Sequence, residues 1–327
     1  MHRNIVIWII AIVLVASVSV AGTALYTGTG SIPEKKLVVS TTTSLFDTEL
    51  LDTIEDQFEA KHPIDIYFIS VGTGLAISHA QRGDADMILV HSPSEELMFL
   101  EGGYGTCRKI IAYNFFAIVG PEADVAHIKN LSPTQALSNI VDTGRNKGTK
   151  WISRGDDSGT HIKEKQLWAT AGFNWALLRE EEWYVEASSG MGGTLQVANE
   201  FDAYALADMG TYLKYYKDRI ITLESLVTQG EELLNVYSAI AGNSTKHLNI
   251  NFDDAITFIK FLISEEGQEI IADFGQDIYG QSLFYPAVNG LKQNADSTIA
   301  QWIRDYAFLD GYECPPRYWD NHPELYE

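Results

Sequence analysis

The sequence predicts a two-lobed α/β fold that holds a ligand between its lobes. Three observations predict it. From Leu37 onward, strand-like runs alternate with amphipathic helical ones, the pattern of mainly parallel sheets covered by helices. Two long β-rich stretches break that alternation. Four polar loops, each rich in Ser, Thr or Gly, fall between a predicted strand and a predicted helix, where open α/β sheets bind ligands.

The elements follow in order. "KLVVS" (36–40) reads as the first strand. In "DTELLDTIEDQFEAKHP", Leu50, Leu51, Ile54 and Phe58 share one helical face, and Pro63 lies beyond its end. "IDIYFISVG" is the next strand and "TGLAISHAQRG" the next helix. "DADMILV" is a third strand, and the serines of "SPSEELMFLEGG" suit a helix start. "WIS", "EEWYVEAS" and "AYALAD" are later strands, followed by helices in "GTHIKEKQLWATAG", "GGTLQVANEF" and "GTYLKYY". The two stretches without an intervening helix are "RKIIAYNFFAIVGP" (108–121) and "LLNVYSAIAGN" (233–243). Paired strands crossing between lobes would have this appearance. They place one lobe at 37–113 plus 241–327, with the other, 114–240, inserted into it.

Composition narrows the function. A net charge of −21 over 327 residues argues against a nucleic-acid partner, which needs Lys and Arg for phosphates. The N-terminus begins with Arg3, an apolar run from Ile5 to about Ala21, and the small-x-small triplet Ser19-Val20-Ala21. This is the layout of a secretory signal, and the run is also close to the length of an uncleaved anchor. Both readings put the chain from Leu37 outside the cytoplasmic membrane. Cys107 and Cys314 are the two cysteines; pairing and independent thiols are both open. No Cys/His cluster has metal-ligand spacing.

The four loops are "STTTSLFDTE" (40–49), "SVGTGLA" (70–76), "SRGDDSGTH" (153–161) and "SSGMGGTL" (188–195). A helix start exposes unpaired N–H groups and carries positive partial charge; Gly admits close approach and hydroxyls add donors. Two such loops from each lobe would enclose an oxyanion, with Arg154 as its full positive charge. Asp156 and Asp157 should not both face a dianion. They could orient Arg154, cap the following helix, or accept a proton-bearing oxygen such as that of hydrogen phosphate. Asp142-Thr143-Gly144 and Asp157-Ser158-Gly159 match the aspartic-protease tripeptide, but they lie too close in sequence to come from two halves. A G-x-S-x-G elbow and a Walker A loop are absent. A hydrolase acting through Ser158 would have His161 as its nearby base.

These blocks carry a resemblance. "STTTSLFDTELLD", "SVGTGLAISHAQRGDADMILVHSP", "GYGTCRKIIAYNFFAIVGP", "SRGDDSGTHIKEKQLW" and "GMGGTLQVANEFDAYALADMGTYL" resemble the tungstate-binding proteins of tungstate ABC importers, within the type II periplasmic-binding-protein superfamily. The resemblance is strong over about 37–216 and more general beyond. It implies the two-lobed, type II periplasmic-binding-protein-like α/β fold with ligand in the inter-lobe cleft. By position, Thr42, Thr43 and Ser44 would donate from the first lobe, with Thr73 and Gly74 beside them. Arg154, Ser158, Gly159 and Thr160 would close from the second, and Met191, Gly192, Gly193 and Thr194 would add backbone or hydroxyl contacts. The implied protein is a monomeric, extracytoplasmic receptor, secreted or tethered. It would hand tungstate to a membrane permease, with no cofactor, no cationic metal and no chemistry. Molybdate or phosphate on the same fold are the alternatives.

Overall fold

The computed structural model describes residues 35–228, 230–292 and 298–327, so the segment read as signal or anchor lies outside the described residues. Strand β1 (Lys35–Thr42) buries Leu37 and Val39 and runs directly into the short helix α1 (Thr43–Phe46). Helix α2 (Leu50–Glu59) buries Leu50, Leu51, Ile54 and Phe58, the face read from the sequence. Phe58 meets Phe258 and Phe261 edge-on at 4.9 and 5.4 Å, which ties this helix to the C-terminal part of the chain. Then come β2 (Ile64–Val71), α3 (Thr73–Arg82), β3 (Met87–Val90) and α4 (Pro93–Glu101). Helix α3 ends at Gly83, whose φ of 78° is the left-handed cap that glycine adopts without strain.

Strand β4 (Gly105–Gly120) is the first long stretch. Beyond it lie α5 (Pro133–Lys147), β5 (Trp151–Ser153), α6 (Gly159–Thr170), α7 (Trp175–Leu178), β6 (Tyr184–Glu186), α8 (Met191–Glu200), β7 (Tyr204–Asp208), α9 (Met209–Lys217) and β8 (Glu224–Val227). The second long stretch is β9 (Leu234–Gly242). It is followed by α10 (Phe252–Leu262), α11 (Glu265–Asp273), α12 (Gln276–Tyr279), β10 (Tyr285–Pro286), α13 (Val288–Lys292) and α14 (Thr298–Ala307). Residues Lys36–Glu327 form one compact unit. Among the described residues, no helix is long and apolar enough to cross a membrane.

The sheet order is β2-β1-β3-β9-β4-β7-β5-β6, with β8 and β10 also on β4. Parallel ladders join β1 to β3, and β5 to both β6 and β7. The long strands pair otherwise. β3–β9, β9–β4 and β4–β7 are antiparallel, as are the contacts of β4 with β8 and β10. The expectation of mainly parallel sheets therefore holds only for the outer strands. A strand that leaves one sheet for another and the strand that returns run in opposite directions, so their pairing is antiparallel. Strand β4 changes partners along its length. Tyr113 faces β10 and β9, whereas Phe116 faces Asp208 on β7.

Separate cores flank this crossing. On one side Leu37, Val39, Met87, Leu89, Phe258 and Ile259 pack together. On the other, Phe116, Ile118, Leu137, Ile140, Trp151 and Trp168 do so, with the two indoles 5.0 Å apart and edge-on. One buried charge pair lies here: Arg108 Nε donates to Glu96 Oε2 at 2.7 Å with both side chains fully enclosed. Cys107 and Cys314 are buried free thiols, and Cys107 donates to the carbonyl of Trp319 at 3.1 Å.

Candidate functional site

Each of the four polar loops ends as the start of a helix. Thr42 precedes α1 and accepts from the Leu45 N–H at 3.3 Å. Ser158 precedes α6 and accepts from the His161 N–H at 3.3 Å. Gly72 precedes α3 and Gly190 precedes α8, and neither can cap with a side chain. The first N–H groups of those two helices are thereby left for another acceptor.

Contacts between loops bring these starts together. Arg154 Nη2 donates to Thr43 Oγ1 at 3.4 Å, and the Gly159 N–H donates to Thr73 Oγ1 at 3.1 Å. A Cβ at Gly190 would stand 3.9 Å from Thr43 Oγ1, and one at Gly72 would stand 3.9 Å from Ser158. Thr42, Ser44, Thr73, Arg154, Ser158, Thr160 and Thr194 are all buried. Gly74 is exposed one residue into α3, and Gly192 packs against the hydroxyl end of Tyr215.

The hydroxyls differ in what they can still do. Thr160 Oγ1 is buried with no partner. Thr73 and Ser158 each accept one backbone N–H and keep a proton to give. Thr194 donates to the Gly190 carbonyl at 3.0 Å, so its hydroxyl is turned back into its own helix. Its own N–H also donates to that carbonyl, at 2.9 Å, so both donors of Thr194 are engaged at the start of its helix.

The two aspartates separate in role. Asp156 Oδ2 accepts from Arg154 Nε at 3.1 Å and from Nη2 at 2.5 Å, while Oδ1 accepts from the Ser158 N–H at 3.2 Å. It both orients the guanidinium and braces the loop. Asp157 points outward, 83% exposed, to Lys165 Nζ at 2.8 Å, and that hydrogen bond holds its carboxyl below the usual range. His161 Nδ1 accepts from the Asp157 N–H at 3.0 Å, so it is not free to take a proton from Ser158. Asp142 and Thr143 lie inside α5, where Thr143 donates to the Asn139 carbonyl at 2.8 Å. No group of three or more His, Cys, Asp or Glu side chains suited to a metal occurs among the described residues.

Three residues at this place were not singled out from the sequence. His91 follows β3, is buried, and lies 3.4 Å from Ser44 Oγ through Nε2 and 2.8 Å from Asn235 Oδ1 through Nδ1. Burial pushes its pKa down to about 4, so it is neutral near pH 7. Asn235 donates to Asn114 Oδ1 at 2.8 Å, linking the two crossing strands. Asp208 ends β7 and accepts from the Thr211 N–H at 2.9 Å; burial raises it to about 6 despite the charge of Arg154. The available signals were a His and an Asp just at strand carboxyl ends, and an Asn inside each of the two long strands.

Residues 22–266 match the PBP superfamily domain. The tungstate-binding protein TupA of Peptoclostridium acidaminophilum is 38% identical over 76% of this chain and 85% of its own length. The solved structure of tungstate-binding protein TupA from Desulfovibrio alaskensis G20 superposes with a TM-score of 0.66 at 37% identity, covering 77% of this chain and 98% of that one. A structure described as the tungstate ABC transporter from Geobacter sulfurreducens gives 0.66 at 40% identity, over 74% and 99%.

Proposed function

The chain belongs to the periplasmic-binding-protein superfamily and, within it, to the TupA family, and on that premise we propose that it is the extracytoplasmic receptor of a tungstate ABC importer. The observation that carries this reading is the clasp at the loops. Arg154 reaches Thr43, and Gly159 reaches Thr73, which brings the starts of α1, α3 and α6 together, with Gly190 ahead of α8 beside Thr43. Such a place stabilises an oxyanion through N–H and O–H donors without a basic surface.

The commitments of Asp156 and Asp157 favour an unprotonated dianion. Hydrogen phosphate would need an acceptor for its proton, and the oxygens of Asp156 and Asp157 that the loop holds are engaged elsewhere. Tungstate and molybdate carry no proton near neutral pH and are larger than sulfate. Donors set at their radius would leave sulfate under-coordinated. The ligand set comprises Thr43, Thr73, Arg154, Ser158 and Thr160 through side chains, with the backbone of Thr42, Ser44, Gly74 and the Met191–Gly193 turn, since the N–H groups of Gly159 and Thr194 are held by Thr73 and Gly190. The receptor carries out no chemistry, works as a monomer, and hands its ligand to a membrane permease. A hydrolase is disfavoured because the imidazole of His161 is engaged away from Ser158.

The lobes meet at the crossing strands. We take the first crossing to lie between Tyr113 and Phe116, where β4 changes partners. The whole of β9 pairs beside β3 and the first part of β4, which favours a return at Leu234 rather than 240. Closure about these strands would trap the dehydrated anion. Small-angle X-ray scattering tests this. Tungstate should lower the radius of gyration of ligand-free protein while sulfate at the same concentration does not. An equal response to both anions would contradict the assignment.

A further inference from the structure

Ser44, His91, Asn235 and Asn114 form one hydrogen-bond chain, and its direction can be fixed from its ends. At one end, Asn114 Nδ2 faces the carbonyl of Leu283 at 3.5 Å. A carbonyl only accepts, so Asn114 presents its amide nitrogen there and turns Oδ1 toward Asn235. Asn235 must then offer Nδ2, which donates to Asn114 Oδ1 and to the Tyr237 hydroxyl, both at 2.8 Å. Its Oδ1 is left for His91 Nδ1, also at 2.8 Å. An amide oxygen only accepts, so Nδ1 carries the proton. In a neutral imidazole Nε2 is then a bare acceptor.

The other end agrees. Nε2 is buried, and Ser44 Oγ is the donor within reach, at 3.4 Å. Ser44 in turn lies 3.3 Å from Thr42 Oγ1, and Thr42 accepts from the Leu45 N–H at 3.3 Å. Ser44 gives its one proton to Nε2 and so must accept from Thr42, and the chain runs one way from the backbone of α1 to the backbone at Leu283. The other hydroxyls of the block are also spent. Thr41 donates to the Leu89 carbonyl at 3.0 Å, and Ser40 lies 3.0 Å from His79 Nδ1. Thr43 differs, since the contact it makes is to receive from Arg154 Nη2.

We propose that His91 is a positioning residue that holds the hydroxyl proton of Ser44, leaving Thr43 as the hydroxyl of the Ser-Thr block that donates to the bound oxyanion. Resemblance alone assigned Thr42, Thr43 and Ser44 the same role; the chain gives them different ones. His91 also joins three parts of the molecule. It stacks on Tyr237 of β9 at 4.9 Å, it holds α1 through Ser44, and the start of α6 rests on it at Gly159. The ring thereby references the first anion loop to the crossing strands about which the lobes move. The serine, imidazole and amide order is also that of a hydrolytic triad, but Ser44 is fully buried and held rather than presented.

The test is a two-bond 1H–15N correlation spectrum of the full chain labelled at histidine, recorded with and without tungstate. His91 is identified by the signal lost in His91→Gln and, without altering the histidine, by the signal whose Nε2 shift moves in Ser44→Ala. The expected result is a neutral His91 protonated on Nδ1 in both spectra. A proton on Nε2, or an imidazolium at pH 7, would overturn the proposal, as would covalent labelling of Ser44 by a fluorophosphonate. In calorimetric titration with tungstate, Thr43→Val should lose about tenfold or more in affinity, as for a hydrogen bond to a charged group. A larger loss in Ser44→Ala than in Thr43→Val would overturn the division of roles. That division rests on the oxyanion reading, whereas the tautomer does not. If tungstate fails to bind a protein whose His91 is protonated on Nδ1, the function is wrong and not the hydrogen-bond chain.

Discussion

Arg154 is the residue on which the site turns. Its guanidinium is almost fully buried, and Asp156 spends one oxygen on it and the other on the loop backbone. A buried charge with one fixed partner and one direction left open suits a second anion. Removing it would leave Asp156 as a half-buried carboxylate without its cation, beside that anion. Arg154→Ala is therefore expected to weaken tungstate binding by about 2–5 kcal/mol, the cost of breaking a desolvated charge pair. Isothermal calorimetry reads this directly, and near-wild-type affinity would remove Arg154 from the site. Much of the residue-level pattern was legible in the sequence, because Arg, two Asp, Ser and Thr within one strand-to-helix loop exceed what capping needs. His91 was not legible. A single His after an apolar strand has no local pattern, and its partners Asn114 and Asn235 come from strands that meet it only in the fold.

At the scale of elements, the start of α6 is a tight junction. A Cβ on Gly159 would sit 2.7 Å from His91 Cε1 and 3.0 Å from Thr73 Oγ1. The ring cannot retreat, since Tyr237 stacks on it and Asn235 holds its far side. Gly159→Ala should therefore keep α6 from seating on α3. The expected cost is about 1–3 kcal/mol of binding, as for an overpacked contact, with each lobe's fold retained. Tungstate titration beside a thermal melt separates the two. Full affinity in a normally folded variant would mean the junction does not close on ligand. Helices and strands themselves were readable because their periods differ. The face of α2 and the extent of β4 and β9 match the residues that carry them. Strand direction was not readable, because an apolar run in an outer parallel ladder and one in a crossing antiparallel pair bury the same residue types.

For the whole molecule, buried titratable groups set opposing pH trends. Glu164 is fully enclosed and accepts from the Trp151 indole at 2.8 Å, the Trp168 indole at 3.3 Å and the Tyr184 hydroxyl. Burial outweighs these donors and raises its pKa from 4.5 to about 7. The native state then binds the extra proton, so this group's contribution is full below about pH 4.5 and is lost as pH rises through about 7. His91 acts the other way, because its lowered value costs stability as pH falls from 6.5 toward about 4. Comparing wild type with Glu164→Gln isolates the first effect. Relative to wild type, the variant should gain roughly 3 kcal/mol between pH 4.5 and 8 in urea unfolding. A difference that stays flat with pH would show that Glu164 ionises normally.

The acidic exterior is compatible with anion capture. A net charge of −21 slows approach at low salt, but at about 0.1 M salt the screening length is roughly 10 Å, so a buried ring of donors decides affinity once the ion arrives. The central claim is that this ring selects a large, unprotonated dianion. It is tested most directly by stripping bound ligand through unfolding and refolding, then titrating the protein by calorimetry with tungstate, molybdate, sulfate and phosphate in turn. Tight tungstate binding, with sulfate and phosphate weaker by about a hundredfold or more, is the expected result. Phosphate binding as tightly as tungstate, or no binding of any of the four to refolded protein, would contradict it.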